Sequence, residues 1–130
     1  MRFLFAIFCI LGKHLVQSAC SGTYTLKTSN GGLNYSYDSA TNSVVYDVCV
    51  NANTYLSIGY GSSMTNTDMV YWGANGASSQ VLDLWSTGHS TPSTDNPSAY
   101  TSTFTVNSDG SVQFKSTRPL NPGTNKAYVI

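Results

Sequence analysis

Apolar and polar residues alternate with a period of two along several short runs of this chain, and each run stops at Gly, Asn or Asp. Residues 33–38 (LNYSYD) alternate throughout. Residues 43–50 (SVVYDVCV) put Val44, Tyr46, Val48 and Val50 on one face and Val45, Asp47 and Cys49 on the other. Successive side chains of a strand point to opposite faces, so such runs read as half-buried strands. Further runs lie at 23–27, 55–61, 68–72, 80–85, 99–106 and 111–117, and residues 126–130 begin another. Leu56 and Ile58 point inward, and the glycines of the 55–61 run predict a bulge or a close backbone approach. Asp-Gly between alternating runs marks a hairpin at 107–110, and Asp38 and Asp109 read as turn formers. Residues 86–98 (STGHSTPSTDNPS) carry no strand signal and read as an exposed or functional loop. No helix-length period of 3.6 occurs. The expected fold is all-β: a single antiparallel β-sandwich of eight or nine short strands in two sheets, immunoglobulin-like in architecture.

Composition agrees and narrows the function. Only 9% of the 130 residues are charged, all six acids are Asp, and Ser, Thr and Asn number 19, 15 and 11. The strong helix formers are scarce, whereas Thr, Val and Tyr suit strands. A 41% apolar content with 12% aromatics is enough to build a core, which excludes a disordered chain. Lys and Arg together number six, with no basic patch to neutralise phosphates, so nucleic acid is not an expected partner.

Residues 1–19 read as a secretory leader. Met1-Arg2 is a short positive start, and residues 3–11 (FLFAIFCIL) form a nine-residue apolar run broken by Lys13 and His14. That length suits the apolar region of a signal peptide and falls well short of the ~20 residues a membrane-spanning helix needs. Cleavage is expected after Ser18 or Ala19, leaving a secreted or surface-exposed domain over 20–130. Arg2, Lys13 and Cys9 would leave with the leader, so four basic residues would face six Asp for a net charge of 4 − 6 = −2. Cys20 and Cys49 remain, and an even pair in a secreted chain reads as one disulfide. Asn34-Tyr35-Ser36 is a glycosylation sequon and predicts a surface turn there. The chain reaches Ile130 inside an apparent strand, so one or more further strands are expected beyond it.

Catalytic patterns are missing from the sequence. The six Asp are spread singly, no GxSxG occurs, and only His89 is left after the leader to serve as an imidazole ligand. Asp68, Asp83 and Asp95 follow no calcium-loop code. The expectation is a binding module and not an enzyme, at most an electron-transfer part of a larger redox protein.

Two blocks stand out, IGYGSSMTNTDMV at 58–70 and STRPLNPG at 116–123, with VLDLW at 81–85 between them. Together, in this order, they resemble the DOMON domain, the extracellular β-sandwich of dopamine β-monooxygenase relatives and of the cytochrome domain of cellobiose dehydrogenase. The likeness covers about residues 20–130. It implies a ligand-binding role: b-type haem in some members, proposed sugar binding in others. In haem binders a methionine in the turn after the GYG-like strand is one axial ligand, a position matched by Met64. The other is a histidine on a strand after the RPL block, which this sequence does not reach; His89 lies elsewhere in the pattern and is the weaker candidate. Tyr60, Met69 and Trp72 would line the haem pocket. Relatives are often fused to transmembrane or flavin domains, so a membrane or redox domain could follow in a longer parent.

Nine Tyr and two Trp also suit the alternative, a carbohydrate-binding or adhesive domain without cofactor. Flat aromatic faces stack on sugar rings, and Tyr71, Trp72, Trp85 and Tyr100 are the candidates. Arg118, the one Arg outside the leader, is expected to pair with an Asp such as Asp68 or Asp83.

Overall fold

The alternating runs become strands in a computed structural model of the chain, which describes residues 20–123. The strands are β1 (Leu26–Thr28), β2 (Gly31–Asp38), β3 (Ser43–Val50), β4 (Tyr55–Tyr60), β5 (Thr65–Gly73), β6 (Gln80–Thr87), β7 (Ser93–Thr94), β8 (Thr101–Val106) and β9 (Val112–Pro119). Each pairing between these strands is antiparallel. One sheet has the order β1-β2-β3-β9-β8 and the other β4-β5-β6-β7, so the two layers form a β-sandwich. The leader and the run at 126–130 lie outside the described residues. The strand expectation needs correcting at β7, which falls inside the segment that carried no strand signal. Its two residues pair with Leu84 and Trp85, a register imposed by the neighbouring strand rather than by local sequence.

Alternation decides what each sheet buries. In the five-stranded sheet Leu33, Val48, Val50, Val112 and Phe114 face inward; in the four-stranded sheet Leu56, Val70 and Trp72 meet them. Further along the same strands the inward positions turn polar: Tyr46, Ser116 and Arg118 on one side, Tyr60, Asp68 and Asp83 on the other. The sandwich therefore has an apolar half and a hydrogen-bonded half.

Residues 20–25 close over the outside of the larger sheet. Cys20 is joined to Cys49 with Cα atoms 5.3 Å apart, as the cysteine arithmetic predicts. The Tyr24 side chain lies over Gly32, where any Cβ would meet a ring carbon at 2.3 Å. Asn34 holds the same segment: its Oδ1 accepts from the Thr25 amide at 2.8 Å and its Nδ2 donates to the Thr23 carbonyl at 3.3 Å. Asn34 thus lies within β2 and not in the surface turn that the sequon suggested. The expected turn formers behave as expected, since the Asp38 carboxylate accepts from the Ala40 amide at 2.9 Å and that of Asp109 from the Ser111 amide at 3.0 Å.

Candidate functional site

The outer face of the four-stranded sheet carries two hollows, one at each end. The first lies at the β4–β5 turn and is lined by Gly59, Gly61, Met64 and Met69 with Ser62, Ser63 and Thr67; its volume is about 360 Å³. Met64 is 43% exposed on this turn. The turn is tied down by hydrogen bonds: the Thr67 hydroxyl donates to the Ser63 carbonyl, and Ser86 Oγ, fully buried, lies 2.6 Å from the Met64 carbonyl and 2.9 Å from that of Gly88. Ser86 therefore fastens the Met64 turn to the loop that carries His89, itself exposed. The predicted close approach appears at Gly59, where an added Cβ would lie 3.0 Å from Thr67 Cγ2 and 3.5 Å from Met69 Cγ. Register places Gly59, Met69 and Leu84 side by side across three strands on this outer face.

Only part of the expected pocket assembles here. Met64 and Met69 share the hollow. Tyr60 and Trp72 do not line it, because strand alternation sends them to the opposite face from Gly59 and Met69 and so into the sandwich. Trp72 is fully buried and donates to Ser116 Oγ of the facing sheet at 2.9 Å.

The second hollow, about 290 Å³, lies at the other end of the same face. Tyr55 and Tyr71 stack there with ring centroids 5.3 Å apart and planes 24° from parallel. Gly73 makes the arrangement possible: a Cβ at that position would lie 2.6 Å from the Tyr71 ring. Asn53, Asn75, Ser78 and Gln80 surround the pair with amides and a hydroxyl. Of the aromatic candidates for sugar stacking, Tyr71 alone stands in this hollow. Trp72 is buried, Trp85 and Tyr100 are half-buried, and Tyr100 turns its hydroxyl inward to that of Tyr60 at 3.2 Å. Tyr55 was missed because nothing local marks it; the pairing of Tyr55 with Gly73 brings it beside Tyr71.

Between the sheets the polar half forms one network. Arg118 Nη2 donates to Asp68 Oδ2 at 2.5 Å, with the Arg118 side chain fully buried. Of the two carboxylates weighed for Arg118, Asp68 is the one that holds it. The guanidinium also lies over the rings of Tyr60 and Tyr100, 5.1 and 5.9 Å from their centroids. Tyr46 and Tyr60 join hydroxyl to hydroxyl across the sheets. Burial raises the phenol pKa of Tyr46, Tyr60 and Tyr100, so all three stay neutral at physiological pH.

Asp83 accepts from the Ala99 amide at 2.6 Å. Burial raises its pKa above the ordinary carboxylate value, while the Ala99 bond pulls it back. Folded Asp83 therefore keeps its proton to higher pH than the unfolded chain does. Between the ordinary value, ~3.9, and its own raised value the folded state binds more protons, so stability falls as pH rises through that window. Asp83→Asn is expected to flatten this part of the stability–pH curve, as read by urea unfolding at a series of pH values. An unchanged slope would place the titration elsewhere.

Among the described residues no group of three or more His, Cys, Asp or Glu could hold a metal ion, and no helix is long and apolar enough to cross a membrane. The described residues thus form an all-β sandwich with one disulfide and two hollows on one outer face, the architecture of an extracellular-type ligand-binding module once the family is known. The sequence matches the model of the DOMON domain over residues 27–130, and the chain belongs to that family. No curated protein matches it.

Proposed function

We propose that this DOMON domain is secreted and carries b-type haem on the Met64 end of the outer face, in an electron-transfer role. The observation that carries this reading is Met64 itself. A methionine used as core filler is buried, whereas this thioether stands exposed beside a hollow on a turn clamped by Ser86 and Thr67. The donor chemistry suits haem iron, and the Gly59–Met69–Leu84 row offers a largely apolar floor for a flat ring system. Met64 would hold the iron from one side. His89 is a candidate for the second ligand because Ser86 joins its loop to the Met64 turn. A thioether–imidazole pair gives bound haem a raised potential.

Mature protein titrated with haemin is expected to give a sharp Soret band on reduction. Met64→Ala is expected to weaken haemin binding at least about tenfold, the loss of one good ligand contact. His89→Ala then identifies the second ligand. Binding that leaves the Met64→Ala spectrum unaltered would refute the assignment.

The stacked Tyr55–Tyr71 pair favours a second reading, carbohydrate binding at the amide-rich hollow. The outer face of Tyr55, 56% exposed, is free to stack on a sugar ring while Asn53, Asn75 and Gln80 meet its hydroxyls. Tyr55→Ala is expected to reduce oligosaccharide binding roughly fivefold in a glycan-array titration, since an aromatic contact contributes about 1 kcal/mol beyond its buried area. Glycan binding that persists in this variant would remove the site.

A further inference from the structure

At the β2–β4 edge the two sheets part and leave a slot of about 230 Å³. Leu33, Val44 and Ile58 wall it, Tyr46 and Tyr60 form its floor, and Leu26 and Tyr35 stand at the rim. Both rim residues are half exposed or more, at 50% and 57%. They are exposed because the larger sheet extends past the smaller one: Leu33 and Tyr35 pair with Val48 and Tyr46 and so share their inward face, yet only β4 lies opposite.

The floor of the slot is fixed and asks for no hydrogen bond. The Tyr46 and Tyr60 hydroxyls turn to one another, Tyr60 also accepts from Tyr100, and the Tyr46 ring packs on Trp72 at 5.8 Å. Arg118 behind Tyr60 is neutralised by Asp68. What the slot presents is carbon: ring surfaces and aliphatic side chains. A dry apolar cavity of about 150 Å³ is enough to take benzene, and a preorganised site needs little further ordering on binding.

We infer that this slot is a binding site for an uncharged molecule, or part of one, that bears a single aromatic ring. The ring would lie against the aromatic side chains of Tyr35, Tyr46 and Tyr60, where aromatic pairs gain more than their buried area alone. A charged group is excluded because a buried charge needs a partner that the slot does not offer. The site lies between the sheets, whereas the Met64 hollow is on the outer face, so neither proposal depends on the other.

The test is an NMR titration of the mature protein with toluene, n-hexanol and benzoate. Toluene is expected to shift the resonances of Leu33, Val44 and Ile58, with n-hexanol weaker and benzoate at least about tenfold weaker. Leu26→Ser, a rim change that leaves the core intact, is expected to weaken toluene about threefold through lost apolar contact. Ile58→Phe, which fills the slot, is expected to abolish binding. The absence of toluene shifts at these residues, equal binding of benzoate or n-hexanol, or unaltered toluene binding in folded Ile58→Phe would each overturn the proposal.

Discussion

Asp68→Ala is expected to destabilise the fold by about 3–5 kcal/mol, the usual cost of stranding one member of a buried ion pair. Arg118 is fully buried and its Nη2 lies 2.5 Å from Asp68 Oδ2. Removing the carboxylate takes away the anion in direct contact with a cation held between the sheets, beside the ring faces of Tyr60 and Tyr100. For a domain of this size that loss is a large part of the total stability. Urea unfolding followed by the fluorescence of Trp72 and Trp85 measures it. The double variant Asp68→Leu with Arg118→Met separates the charge from the packing: with both charges gone, most of the lost stability is expected to return. A loss below ~1 kcal/mol in Asp68→Ala would mean that the other contacts of the guanidinium hold it without this carboxylate.

The second large effect is expected from the disulfide. Cys20 and Cys49 are 29 residues apart, and closing a loop of that length stabilises by about 3–4 kcal/mol in the chain-entropy treatment. The paired change Cys20→Ser and Cys49→Ser is expected to lower stability by that amount in urea unfolding. It is also expected to loosen residues 20–25, which amide exchange would report. The segment keeps its other two anchors, the Tyr24 ring on Gly32 and the Asn34 amide on Thr23 and Thr25. A loss below ~1 kcal/mol would show that these two suffice.

Much of the architecture was legible because alternation is a local property. The inward set Val44, Tyr46, Val48 and Val50 follows from the pattern of β3 alone, and burial agrees. The disulfide was legible because one even pair leaves one pairing. The Arg118 partner was legible only to a choice of two carboxylates, Asp68 and Asp83. Both face inward, and the approach of the sheets selected Asp68, 50 residues away in sequence. β7 left no trace in its own sequence because a two-residue strand is held by its neighbour.

The candidate sites were less legible, for the same physical reason. Met64 and Met69 could be grouped from one turn and its following strand. Tyr60 and Trp72 look like their neighbours in sequence, but an offset of one residue along a strand reverses the face, and both belong to the core. Tyr55 joins Tyr71 through strand register, and Ser86 joins the Met64 turn to the His89 loop through hydrogen bonds spanning 22 residues on one side and two on the other. The sequence by itself determined the longer strands, the disulfide and the family likeness, because each is written in short-range order or in residue type. The tertiary structure alone decided which strands face each other, which aromatic rings are left outside and where the sheets part, because those depend on how two independently patterned layers are laid together.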